Sequence, residues 1–206
     1  VWWISLSITT VSSGFLVLGI SRLSPGLSAM LSATMPLFTA LIAVAVIGEF
    51  PGRRGYFGLL IGLFGAVFLA VPAFGSGNTT LGIIFLLISS VSWAAGAVLN
   101  KRLPGALQIS PLMLVALQIT FSAGCLHLAV PFFEDWSETS FTWGLAMPLL
   151  YAGIPSLAVT FYLFASVLRR APAVQAAAVA YLTPFFGVIF SWLLIGDRLG
   201  ATEIFG

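Results

Sequence analysis

The chain has 206 residues, of which 60% are apolar, 14% aromatic and 7% charged, with a formal net charge of +2 and a mean hydropathy of +1.12. Soluble domains carry about 25% charged residues, so this composition excludes a fold built for water. It also excludes intrinsic disorder, a disulfide scaffold, since Cys125 stands alone, and a nucleic-acid binder, because eight scattered Lys and Arg make no basic face.

Taken in chain order, apolar runs bounded by Gly, Pro, Asn or charge fall at about 1–21, 27–47, 54–73, 80–100, 110–132, 143–168 and 173–196, with another starting near 201. They are continuous, as from Leu81 to Leu99, and lack the alternation of membrane β-strands. The expected fold is an all-α polytopic transmembrane helix bundle with seven full spans and the start of an eighth. Val1-Trp2-Trp3 opens inside an apolar run and Phe205-Gly206 closes just as a new run begins, so the chain reads as truncated at both ends. The first run has neither a basic leader nor a small-residue cleavage site and reads as a span, not a signal peptide.

Charge position gives orientation. Arg53, Arg54, Lys101, Arg102, Arg169 and Arg170 fall in alternate connections, and only Arg22 and Arg198 lie on the opposite side. The positive-inside rule places loops 48–54, 101–109 and 169–172 in the cytoplasm. Loops 22–26, 74–79 and 133–142 then face outward, the last carrying Glu134, Asp135 and Glu138.

An internal repeat appears at an offset of 148 residues, pairing Arg22 with Arg170, Ala29 with Ala177, Pro36 with Pro184, Phe38 with Phe186, Ile47 with Ile195, Gly48 with Gly196, Phe57 with Phe205 and Gly58 with Gly206. Glu49 and Asp197 add a matched acid. The copies lie five spans apart, an odd number, and therefore cross the bilayer in opposite senses. Inverted repeats are the architecture of secondary transporters, where two related halves exchange roles as a central site opens to either face.

Pro36 and Pro184 fall mid-run, where proline removes a backbone hydrogen bond. Each reads as a hinge beside a substrate cavity or as a packing kink, with freed carbonyls at Ser32 and Ala180 to be satisfied. Gly48 and Gly196 suit left-handed helix ends that deliver Glu49 and Asp197 to the start of the following helix, with Pro51 at a first helical position. These repeat turn acids serve the turn itself or act as gating carboxylates. His127, inside a span, reads as a neutral, hydrogen-bonded side chain. Gly58, Gly62 and Gly65 read as a close helix-packing surface within the protomer or in a homodimer.

Helical spacing gathers neutral polar and aromatic groups into stripes. Ser5, Thr9 and Ser12 form one; Ser28, Ser32, Met35 and Thr39 a second; Ser89, Ser92, Trp93, Gly96 and Asn100 a third. Tyr151, Pro155, Val159, Tyr162 and Ser166 form a fourth, and Tyr181 and Thr183 flank the second proline. Small hydroxyl residues also form ordinary packing surfaces, so the four stripes count together more than any one serine. Such a lining suits a small organic molecule and not a bare ion.

The segments ATMPLFTALIAVAVIGEF and AYLTPFFGVIFSWLLIGDRL, with SVSWAAGAVLNKRL, resemble the EamA family of the drug/metabolite transporter superfamily. The resemblance implies ten spans in two inverted five-span repeats. Residues 1–74 would be the last three spans of the first repeat, and 80–206 the second repeat with its last span truncated. It also implies export of small metabolites or drug-like compounds across a bacterial cytoplasmic membrane, by a monomer or homodimer without cofactor or metal.

The competing classes have little support. No Gly-rich phosphate loop with Gly-Lys-Ser/Thr occurs. A retinal-type seven-helix receptor needs an intramembrane lysine, and Lys101 is the only lysine. An intramembrane enzyme would have to work with one His, one Cys and no acid inside a span.

Overall fold

The structure, a computed structural model, describes residues 9–70, 80–107, 109–132, 142–182, 186 and 193. A chain this apolar must satisfy its backbone polar groups within each segment, and the described residues do so by helix, with no strand among them. The elements are α1 (Ser12–Ile20), α2 (Pro25–Ser32), α3 (Met35–Ile47), α4 (Arg53–Ala70), α5 (Thr80–Leu107), α6 (Pro111–Ala129), α7 (Trp143–Tyr151), α8 (Thr160–Leu168) and α9 (Ala173–Ala177). Short 3-10 turns follow α6 (Val130–Phe132) and α9 (Ala178–Tyr181). Three described segments are long and apolar enough to cross a membrane: Thr80–Arg102, Pro111–Ala129 and Trp143–Leu168.

The 27–47 run is two helices, not one. Thr34 N donates to Leu31 O at 3.2 Å, and Leu37 N and Phe38 N both donate to Thr34 O, at 3.0 and 3.2 Å. Pro36 thereby lies in the first turn of α3, where its missing N–H would have had no helical partner anyway. The carbonyl that takes extra bonds at the break is that of Leu31, with Ser90 Oγ donating to it from α5 at 3.2 Å.

Between α7 and α8 the chain winds as a π-helix over Ala152–Val159, with Pro155 inside it. Proline lacks the donor that α winding would use, and the wider turn accommodates the gap. The segment Trp143–Leu168 stays helical throughout, but its side-chain phase shifts in the middle.

α5 is the central helix and packs on α1, α2, α3, α8 and α9. Leu86, Ser89, Ala94, Ala97 and Val98 along it have no exposed surface. Leu86 joins Leu23, Leu27 and Leu31, and rests on Gly19, where a Cβ would come within 2.7 Å of its Cδ2. Val98 packs with Ala40, Ala43, Leu59, Leu168 and Val174, while Ala97 packs with Leu114, Val115, Phe161 and Ala165.

Residues 101–107 correct the sequence expectation of a loop at 101–109, since they form the last turns of α5. Lys101 and Arg102 are satisfied without leaving the helix: Lys101 pairs with Glu49 and donates to Ala171 O at 2.7 Å, and Arg102 donates to Val46 O at 3.4 Å. Arg169 donates to Ile109 O. These bonds gather the ends of α3, α5 and α8 and the start of α6 on one face of the bundle. Gly48, with φ 67° and ψ 19°, is the left-handed stop of α3. The carboxylate beyond it serves a distant helix instead of α4, with Glu49 Oε2 accepting from Ala173 N at 2.9 Å.

Candidate functional site

Two cavities meet at Ser13. The first, of about 280 Å³, lies between Ser12, Ser13 and Leu16 of α1, Met35 of α3, Trp93 of α5, Thr160, Phe161 and Phe164 of α8, and Ala176, Ala177, Val179 and Ala180 of the α9 segment. Its aromatic wall is a cluster around Trp93, whose ring is 5.5 Å from Phe161, nearly perpendicular at 77°, and 5.6 Å from Phe164 at 40°. Edge-to-face and tilted arrangements of this kind each contribute about 0.5–1.5 kcal/mol beyond the area they bury, so the wall is firm. No lining residue among those described is ionisable.

Ser12, in the same lining, is also held. Ser89 Oγ donates to Ser12 O at 2.8 Å, and the two Oγ atoms are 3.3 Å apart, which ties α1 to α5. The second cavity, of about 290 Å³, is lined by Thr9 and Ser13, by Ile119, Ser122, Ala123 and Leu126 of α6, and by Leu157 of the π-helical segment. Thr10, in the turn just before α1, and Ser122 of α6 bridge its walls at 2.9 Å.

Of the residues marked by spacing, Ser12, Met35 and Trp93 line the first cavity and Thr9 lines the second. Ser28 and Asn100 are buried but belong to neither lining, and Ser28 Oγ and Asn100 Oδ1 have no hydrogen-bond partner. Ser32 is half-buried at the end of α2, while Thr39 is fully buried and donates back to Met35 O at 2.8 Å. Tyr181 donates to Leu59 O at 3.2 Å, fixing the α9 segment to α4 over Gly62. Thr183, Pro184, Gly196, Asp197 and Ser5 lie outside the described residues.

Tyr151 and Tyr162 face outward, 70% and 41% exposed, and are in neither lining. An α-helical stripe drawn across Ala152–Val159 loses its phase in the π winding. Below that segment the inward stripe is Phe161, Ala165 and Leu168, one residue away from Tyr162 and Ser166. Spacing also gave no signal for Ser13, Thr160 or the small residues of α9.

Gln118 of α6 is unmarked as well. It is fully buried and, like Ser28 and Asn100, belongs to neither lining, and neither its Oε1 nor its Nε2 has a hydrogen-bond partner. Among the described residues no three His, Cys, Asp or Glu side chains come together as a metal site.

Residues 80–206 match the EamA-like transporter family. The chain is 23% identical over 197 residues to an uncharacterized transporter of Bacillus subtilis, YvbV, covering 96% of this chain and 64% of the relative. It is 27% identical over 208 residues to the uncharacterized inner membrane transporter YedA of Escherichia coli K12, covering 97% and 64%. The chain thus spans a little under two thirds of the length of these relatives. A crystal structure at 18% identity superposes with a TM-score of 0.84 over 99% of this chain and 70% of that one, a likeness of fold. With the family match extending over more than half its length, the chain belongs to the EamA-like transporter family.

Proposed function

We propose that the whole protein is a secondary transporter that exports a small organic solute across a bacterial cytoplasmic membrane by alternating access between two inverted repeats. The observation that carries this reading is the first cavity, whose lining combines Trp93, Phe161 and Phe164 with the hydroxyls of Ser12, Ser13 and Thr160 and is free of ionisable groups among the described residues. A pocket of this kind suits an uncharged or weakly polar organic molecule held by ring contacts and a few hydrogen bonds.

Its walls come from both halves of the chain. α1 and α3 belong to residues 1–74, and α5, α8 and α9 to residues 80–206. A site shared by two halves is what alternating access requires, because rocking one half against the other opens it to either side. The repeat at an offset of 148 residues supports the inverted relation, and the break before Pro36 supplies a hinge in the wall that carries Met35. The face bearing Glu49, Lys101, Arg102, Arg169 and Arg170 is the cytoplasmic one, by its excess of cations.

The test compares solutes in cells and medium with the full-length protein deleted, expressed, or expressed as Trp93→Ala. Export predicts one or more solutes that rise in the medium only with the wild-type protein. No reproducible difference in any solute between the deletion and wild-type strains overturns the reading.

A further inference from the structure

We infer that Gln118 is the hydrogen-bonding specificity residue for the solute, recognising an uncharged edge that offers a donor beside an acceptor, as in a carboxamide, lactam or urea. The inference rests on reading the two cavities as the solute path.

Gln118 is the eighth residue of a 19-residue apolar helix and has no exposed surface. A carboxamide presents two donor hydrogens and an acceptor oxygen, and here both ends lack a partner. Burying both ends unpaired is costly anywhere and most costly inside a membrane, where water is not at hand to compensate. A leucine or methionine at this position would fill the same space without that penalty.

Gln118 lines neither cavity, but its position on α6 sets it between residues that pack against the wall of the first and residues that line the second. The buried stripe of the helix is Leu114, Val115, Gln118 and Ser122. One turn toward the start of α6, Leu114 and Val115 pack in the cluster that holds Phe161 and Trp93, two residues of the aromatic wall. One turn in the other direction, Ser122 lines the second cavity and bridges to Thr10, and the adjacent Ile119 lines the same cavity. Gln118 is therefore on the inner face of α6 between the aromatic wall and the α1 bridge, and its three rotatable side-chain bonds allow the amide to follow a change in the spacing of α1 and α6. A ligand with a complementary edge would satisfy both ends at once. A molecule lacking the donor would leave Oε1 unpaired, which is how buried polar groups discriminate.

The experiment uses the full-length protein in lipid nanodiscs and equilibrium dialysis of two probes, benzamide and acetophenone, which share ring and carbonyl and differ in NH2 against CH3. Wild-type protein is expected to bind benzamide about tenfold more tightly than acetophenone, the size of one good hydrogen bond. Q118L, and Q118M as the second variant, are expected to abolish that preference and to raise Tm by about 2–4 °C as the unpaired amide is removed. A preference absent from the wild type or unchanged in both variants overturns the inference. So does a lower Tm in both variants, since that would show the amide to be satisfied within the protein. If the expected preference is found but solute profiles show no export, the amide site stands and the transport reading fails; export with an unchanged preference gives the reverse.

Discussion

Glu49 and Lys101 form an ion pair between the stop of α3 and the end of α5, and each reaches on to the start of the α9 segment, Glu49 to Ala173 N at 2.9 Å and Lys101 to Ala171 O at 2.7 Å. The side chains are 28% and 21% exposed, which places the pair between a loose surface contact and a fully buried one. Their coupling, measured by a double-mutant cycle of Glu49→Ala and Lys101→Ala in thermal unfolding, is expected to be about 0.5–3 kcal/mol. Glu49→Gln keeps an acceptor for Ala173 N and is expected to cost less than Glu49→Ala. Additive single variants would show that the pair contributes nothing of its own.

Gly62 and Gly58 separate two roles that the spacing Gly-x-x-x-Gly combines. A Cβ at Gly62 would come within 2.5–2.8 Å of the Tyr181 ring, including its Cγ, so Gly62→Ala forces the ring away from Leu59 O and is expected to cost about 1–3 kcal/mol. Gly58 is exposed, with nothing within 4 Å of such a Cβ. Gly58→Ala is expected to be neutral or to stabilise by up to about 1 kcal/mol through helix propensity. Equal Tm changes in the two variants would rule out the asymmetry.

Trp93→Ala removes the centre of the aromatic wall, whereas Tyr162→Ala removes an outward-facing ring on the same bundle. Export of the solute found by profiling is expected to fall at least tenfold for Trp93→Ala and to stay near wild type for Tyr162→Ala. Rates measured in cells at matched expression check this, and the opposite order would place the solute elsewhere.

Pro36→Ala restores a donor in the first turn of α3 and removes the obstacle to joining α2 and α3. The joined helix is expected to be straighter, with a longer distance between spin labels at positions 21 and 46, and export is expected to slow without loss of Tm. Unchanged export with a straightened helix would remove the hinge role.

How much of this was legible in the sequence depends on whether the governing interaction was local. The helical class, the bounds of the 143–168 run and the left-handed stop at Gly48 follow from composition and neighbours in the chain, and all are present. The break before Pro36 was legible as a disturbance, but its form was not, because a proline in the first turn of a new helix and one in the middle of a kinked helix have the same sequence. The partner of Glu49 was not legible, since Ala173 N is 124 residues away and a backbone donor carries no residue signature. Thr9, Ser12, Met35 and Trp93, marked by spacing, border the two cavities, although the stripe through Thr9 enters a π-wound turn and the one through Met35 crosses the break between α2 and α3. Phe161 and Phe164 were passed over for Tyr162 because π winding leaves no reliable mark in composition. Gln118 was available to a simpler question, which side-chain amide falls inside the 110–132 run, and no stripe was needed to see it.

The eight π-wound residues from Ala152 to Val159 have one further consequence. Removing a single residue there would turn everything after it by about 100° relative to α7, carrying Phe161 off the cavity wall and bringing a tyrosine in its place. The recognition surface of such a span is thus adjustable by length alone, without a substitution at any residue that touches the solute. A lineage could exchange an aromatic wall for a hydroxylated one in a single step, and two relatives with identical α8 sequences could present different faces to what they carry.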